Sequence, residues 1–259
     1  MKIGRSKITP TAFFLQVAER RRLLLSPERL EQGGSVLLNT DEQHYLRRVL
    51  RLRCGEQVDV VDGCGHLTLA TLVEPQLLEL DRSAQHIESS PKPQLGLAVA
   101  LMRRGMDEVV RMACELGIDR IQPLRCQRSV PQADHRPERW ATIIREAVEQ
   151  CERLWMPQLH ELNGVAEWIG VVDGLRLAGV TRESAVPSLD QCLRKKGNPG
   201  QPTWLVIGPE GGWTSAEQSL FAEAGVQPVR MGGTILRSST AAVAGAVELV
   251  RWRDGLISS

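Results

Sequence analysis

From Leu95 onward the chain alternates between apolar runs and helical patterns, and this limits the folds open to it more than any other feature. Residues 95–101 are apolar almost throughout, as expected of a strand buried on both faces of a parallel sheet. Residues 107–116 then space their apolar side chains as a helix does and stop at Gly117. Residues 118–124 read as the next strand. Pro137 suits the first turn of a long helix reaching about Arg153, with Trp140, Ile143, Ile144, Ala147 and Cys151 facing inward. A short helix near 165–169, a strand at 175–180 and a buried-type strand at 204–207 continue the series. Such alternation predicts an α/β domain with a mainly parallel sheet.

The residues before this series follow another pattern. Ser89-Ser90-Pro91-Lys92-Pro93 is polar, and its prolines suit neither a helix interior nor a central strand, so it reads as a linker. Ahead of it lie short apolar runs at 23–25 and 36–38, an alternating run at 57–61, a turn at Asp62-Gly63 and a β-favouring run at 67–73. These predict a hairpin within a small barrel or sandwich. Thr40 is expected to cap a helix from 41 to about 51. Leu46, Val49 and Leu50 would form its apolar face, with His44, Arg47, Arg48 and Arg51 largely opposite. Residues 1–18 lack periodicity. The expected organisation is an extension over 1–19, a β-rich unit over 20–90 and an α/β unit over 91–259.

Charge and cysteine usage narrow the function. The net charge of +1 hides an asymmetry, since residues 1–53 hold 11 Lys or Arg against 5 Asp or Glu, while residues 54–90 hold 1 against 7. A basic front end is a possible nucleic-acid footprint, although a basic tail and one solvated helix face would give the same count. The six cysteines form no CxxC pair and have no histidine cluster beside them, which argues against a zinc site. No run approaches the roughly 18 apolar residues of a membrane helix. The expectation is a cytoplasmic protein with free thiols.

Two loops hold the candidate chemistry. Ile207-Gly208-Pro209-Glu210-Gly211-Gly212-Trp213 follows an apolar strand and leads into a helix. Gly211 and Gly212 permit positive φ and close approach of a ligand. Thr214 with Glu217, or Ser215 with Gln218, has capping-box spacing. The loop lacks the Gly-Lys-Ser/Thr of a nucleotide-triphosphate loop. The second loop, Gly232-Gly233-Thr234-Ile235-Leu236-Arg237-Ser238-Ser239-Thr240, follows a strand-like run at 226–231 and precedes an alanine-rich helix over 241–252. Ser238, Ser239 or Thr240 would cap that helix, and Arg237 would face a carboxylate or phosphate. Following successive strands, the two loops are expected near one another at the carboxyl edge of the sheet, where open α/β sheets bind ligands.

These residues resemble a known family. Ile207–Gly212 with Leu236-Arg237 and Thr240-Ala241-Ala242 is similar to the RsmE family of SPOUT methyltransferases, which methylate uridine N3 in small-subunit (16S) ribosomal RNA. The likeness extends through Glu115-Leu116-Gly117, Arg128-Ser129-Val130, Glu149-Gln150-Cys151 to Pro157, the stretch from His44 to Arg51, and the Asp62-Gly63 hairpin, covering about residues 20–253. It implies an N-terminal PUA-like β-barrel that grips RNA, a C-terminal α/β domain with a trefoil knot, and a homodimer with the last helix at its interface. It implies S-adenosylmethionine (SAM) held by Ile207, Gly208, Glu210, Gly211, Gly212, Met231, Gly232, Ile235, Leu236, Arg237, Thr240 and Ala242. Three positions depart from the family: Ser239 replaces an acidic residue, Met112 a lysine, and Glu152-Arg153-Leu154 stands for Gly-Arg-Asn.

Uridine N3 must lose its proton to become a good nucleophile, so a carboxylate base or a cation holding the imide anion is expected. Arg237 and then Glu210 are the candidates, with Glu210 equally open as a turn carboxylate. Arg47, Arg48, Arg51, Arg128 and Arg153 are candidates for RNA contact. Two other readings stay open: a SPOUT ribose 2′-O-methyltransferase, and a ribosome-assembly factor that binds RNA without methylating it.

Overall fold

The computed structural model describes residues 21–130, 135–183 and 185–257, so the expected extension over 1–19 lies outside the described residues. Two sheets organise the chain. The first holds β1 (Arg22–Leu24), β2 (Ser35–Leu37), β3 (Gln57–Val61), β4 (His66–Glu74) and β5 (Leu77–Ile87), in the order β1-β3-β4-β5-β2. Only β1 and β3 run parallel. Leu23, Leu46, Val58, Val60, Ala70, Leu72 and Leu78 form its core, each at most 2% exposed. The predicted hairpin is present, but β5 and the helix α1 (Pro27–Gln32) are additions to the expected set.

The expected helix over 41–51 divides in two. Asn39, not Thr40, is its N-cap: its side chain accepts from Glu42 N at 2.9 Å, and Glu42 Oε2 accepts from Asn39 N at 2.9 Å. After α2 (Thr40–His44) the chain winds into a π-helical turn, Tyr45–Val49. The wider turn buries Leu46 while Arg47, Arg48 and Val49 all face outward. Arg51 follows at a left-handed φ of 54°.

The second sheet is parallel, in the order β12-β10-β11-β6-β7-β8, with β9 also on β7. Its strands are β6 (Leu95–Ala100), β7 (Arg120–Arg125), β8 (Gln158–Leu159), β9 (Asn163–Gly164), β10 (Leu175–Val180), β11 (Thr203–Ile207) and β12 (Gln227–Arg230). Every residue of β6 is buried, because Leu95, Leu97 and Val99 enter one apolar cluster and Ala98 and Ala100 the other. The first cluster is shared with α3 (Met106–Leu116), α4 (Pro137–Cys151), α6 (Leu189–Lys196) and α8 (Ser238–Ile257). The second is shared with α5 (Val165–Val171) and α7 (Ser215–Glu223). The sheet therefore lies between two helical layers, as the alternation predicted.

The two sheets are joined by hydrogen bonds. Glu149 on α4 is buried and accepts from Leu24 N of β1 at 2.9 Å. Arg22 donates to the Glu152 carbonyl, and Arg145 to the Leu24 carbonyl. The hairpin between β3 and β4 meets the chain after α4, with Gly65 N on Leu154 O at 3.0 Å and Met156 N on Gly63 O at 2.8 Å. Leu154 packs at 6% exposure, so this departure from the family adds to the core.

Arg153 has an interior task. Its Nη1 donates to the carbonyls of Cys114 (2.7 Å) and Ile118 (2.9 Å), and its side chain is 13% exposed. That correction removes it from the RNA-facing set. Beside it, Asp119 accepts from Leu95 N at 2.8 Å and Arg253 Nη1 at 2.5 Å, fixing the end of α8 to β6.

Candidate active site

All strands of the second sheet are parallel, so the loops after β6, β7, β10, β11 and β12 leave from one edge. The two glycine-rich loops follow β11 and β12, which are not adjacent: β10 lies between them. The sequence argument from successive strands thus reached the right edge by an incomplete route. What brings the loops together is a hydrogen bond from Ser238 Oγ to the Gly208 carbonyl, 2.8 Å. Gly179 at the end of β10 supplies the floor. A Cβ there would lie 3.3 Å from Ile207 Cδ1 and 3.5 Å from Met231 Cγ, so Ile207 and Met231 close over it from either side.

The 208–214 loop is held by its neighbours. Trp213 is buried and donates from Nε1 to Gly179 O at 3.0 Å. Gly208 must lack a side chain, since a Cβ would meet Trp213 Cε2 at 2.8 Å. Gly212 has a φ of +70° with open space around it. Of the two capping boxes written in the sequence the structure forms one. Thr214 is the N-cap of α7, and Glu217 Oε2 accepts from Thr214 N at 2.8 Å and Thr214 Oγ1 at 3.0 Å. Glu217 is buried, and its other oxygen accepts from Gln127 N at 2.9 Å in the turn after β7. From that turn Arg128 Nη1 donates to the carbonyls of Gly211 (3.0 Å) and Trp213 (3.3 Å). Arg128, an exposed side chain, is therefore a brace of this loop. Sequence reasoning missed the brace because capping spacing shows where a helix starts, not what the cap's second oxygen reaches.

The other candidates separate by exposure. Glu210, Gly211, Gly232, Ile235, Arg237 and Thr240 are exposed, whereas Gly208, Gly212, Met231 and Leu236 are half-buried. Ala242 of α8 is fully buried, in the same apolar cluster as Ile207, with Met231 and Leu236 packed against it. Ser238, first residue of α8, spends its hydroxyl on Gly208, and Ala241 N caps back to Arg237 O at 2.8 Å. Ile235 is 62% exposed and lies on the same loop as half-buried Leu236. An added Cβ at Gly232 or Gly233 would meet nothing within 4 Å. The edge thus offers apolar side chains, free backbone beside open space, and Arg237 at the mouth. That set fits a ligand with an aromatic ring system and polar substituents.

Residues 88–249 match the model of an RNA methyltransferase domain, and residues 38–80 that of an RNA methyltransferase PUA domain. The fold and the loop edge are those of an RNA methyltransferase. Among curated relatives, "Ribosomal RNA small subunit methyltransferase E" of Synechocystis is 36% identical over 254 residues, 91% of this chain and 82% of the relative. The protein of the same name from Rickettsia conorii is 29% identical, covering 83% of this chain and 89% of the relative. Among solved structures, the Neisseria gonorrhoeae ribosomal RNA small subunit methyltransferase E bound to S-adenosyl methionine superimposes with a TM-score of 0.75 at 28% identity, covering 89% of this chain and 96% of that one. The chain belongs to the ribosomal RNA small subunit methyltransferase E family.

Proposed function

We propose that this protein uses SAM to methylate N3 of a uridine in small-subunit (16S) ribosomal RNA. The observation that carries the reading is the juncture of the two glycine-rich loops at Gly208, braced from the turn after β7, in a chain of this family. SAM, when bound, supplies an electrophilic methyl group on its sulfonium. Backbone of 208–212 and 232–236 would hold its polar groups, with Met231, Ile235 and Leu236 against its adenine. Ala242 would back this apolar wall from α8.

The protein's share of the reaction is orientation and charge. Arg237, exposed at the loop mouth, holds the uridine imide as the anion that N3 must become. Glu210, exposed on the facing loop, is the candidate acceptor for the N3 proton. Arg47, Arg48 and Arg51 face outward from the first sheet and provide RNA-backbone contacts. The unit over 20–90 grips RNA, and the unit over 91–259 carries the chemistry. The chain works in the cytoplasm as a homodimer, with α8 at the interface; Val247, 36% exposed on α8, and exposed Ala244 support that face. The trefoil threading implied by the resemblance is supported by the insertion of β11 between β6 and β10 and by the bond that ties the two loops together.

The test is incubation of the protein with isotopically labelled SAM and small subunits lacking the modification, followed by nuclease digestion and mass spectrometry. Label on uridine N3 is expected. Label on a ribose 2′ oxygen would favour that other methyltransferase class, and SAM binding without transfer would favour an assembly factor.

A further inference from the structure

The first sheet contains a cleft of about 270 Å³ that the methyl-transfer site does not use. Its floor is the cross-strand pairs His66–Ile87 and Thr68–Gln85 of β4 and β5, and Leu30 of α1 covers it. A register shift between Thr68 and Leu69 opens it: Thr68 pairs with Gln85 but Leu69 with Asp81, leaving three residues of β5 in a bulge. Arg82 lies in that bulge. Its guanidinium fills the space a Gly33 side chain would need, since a Cβ there would sit 1.5 Å from Arg82 Nη2. The same nitrogen donates to the Gln32 carbonyl at the end of α1, 3.2 Å away. Gly33, at φ +61°, is thus required both by its backbone and by the cation laid across it.

At the other end, His66 is set by a buried carboxylate. Asp62, with a side chain 3% exposed, accepts from Cys64 N (2.7 Å), from His66 N (3.0 Å) and from His66 Nδ1 (2.6 Å). Its acceptors are thereby occupied within the hairpin turn. The bond at Nδ1 fixes the tautomer and leaves Nε2 as the free ring nitrogen. The cleft therefore combines an oriented imidazole, a held guanidinium, the amide of Gln85, and an isoleucine 68% exposed. Single-stranded RNA is recognised by this combination: unstacked bases lie on aromatic or apolar side chains, hydrogen bonds read their edges, and a cation takes the phosphate. The hairpin that carries His66 is bonded to Leu154 and Met156, so anything seated there is held in fixed relation to the second sheet.

We infer that this cleft seats one unstacked nucleotide of the RNA substrate, its base between Leu30 and the His66–Ile87 floor and its phosphate against Arg82. The inference rests on the reading of the protein as an RNA methyltransferase, and makes the cleft a second point of RNA registration away from the methylated base.

The test measures binding of a fluorescein-labelled single-stranded RNA of about 12 nucleotides and mixed sequence. Wild type is compared with Arg82→Ala and Ile87→Ala, the second at a position 68% exposed. Each is expected to weaken RNA binding about tenfold, the scale of one lost base or phosphate contact. SAM affinity should stay at the wild-type value. Titration of wild type with nucleoside 5′-monophosphates should shift the His66 ring resonances in NMR. RNA affinities within twofold of wild type, with unmoved His66 resonances, overturn the cleft assignment. If wild type also methylates small subunits in that case, the cleft alone has failed; if wild type neither binds RNA nor methylates, the functional reading beneath it has failed.

Discussion

Replacing Glu217 tests how far the cofactor loop depends on its brace. The carboxylate is buried and accepts three hydrogen bonds, from Thr214 N, Thr214 Oγ1 and Gln127 N. Glu217→Gln keeps one acceptor oxygen and turns an NH2 group toward a backbone N–H. An unsatisfied buried donor of this kind costs about 1–3 kcal/mol. Glu217→Ala leaves the Thr214 N-cap in place but removes both of the carboxylate's oxygens, so Thr214 N and Gln127 N lose their acceptors together. At roughly 2–4 °C per kcal/mol for a chain of this size, Glu217→Gln should lower the melting temperature by about 4–8 °C for a 2 kcal/mol loss. The loop must also be reordered when SAM binds, and if 1–2 kcal/mol of the loss reappears there, Kd rises about five- to thirtyfold. Calorimetric titration with SAM reads this directly. Methylation kinetics should show a raised KM for SAM with kcat close to wild type at saturation, because Glu217 positions the loop and touches no reacting atom. A melting temperature that falls while SAM Kd stays within twofold would refute the reasoning: the bonds would then serve α7 alone.

Arg237→Ala should reduce the methyl-transfer rate by about 10²–10³ while SAM affinity changes little, as measured by single-turnover kinetics beside calorimetry. Arg253→Ala strips Asp119 of a 2.5 Å partner in a site where burial already pushes its carboxyl up. Breaking such a pair costs about 3–5 kcal/mol, readable as a shift in urea midpoint. Burial likewise raises the Glu149 carboxyl above the ordinary glutamate value, against the pull of Leu24 N and Arg145. Between the ordinary and the raised value the folded protein holds the extra proton, so stability should decline as pH rises through that window. Glu149→Gln should flatten the dependence in thermal melts across that range.

Much of the fold could be read from the sequence. The buried parallel strands β6 and β11 showed themselves as apolar runs, since a strand covered on both faces has no polar alternation to hide it. Strand β5 did not, because the seven residues after Leu80 are all exposed and five of them are polar. The short helices α1 and α6 were missed because six and eight residues hold too little periodicity. The π-helical turn at Tyr45–Val49 was hidden for a related reason: Arg47 and Arg48 read as one face of an α-helix, and only the wider turn brings Val49 out beside them.

The site was legible as two loops but not as a construction. Gly211 and Gly212 were marked in the sequence for backbone freedom, and of the two Gly212 takes the positive φ, +70°. Their fixing did not appear there, because the bonds of Glu217 and Arg128 run between the turns after β7 and β11, separated by 90 and 83 residues. Arg153 shows the converse. A motif position suggested a surface role, yet three carbonyl and carboxylate acceptors inside the fold take its guanidinium. Long-range partners decide whether an arginine faces RNA or the core, and those partners are set by tertiary packing.

The most direct test of the account is the position of label after small ribosomal subunits lacking the modification are treated with this protein and labelled SAM. The account predicts methyl transfer to uridine N3, abolished or slowed at least a hundredfold by Arg237→Ala. Intact SAM binding with no label on small-subunit RNA, or label on a ribose oxygen, would contradict it.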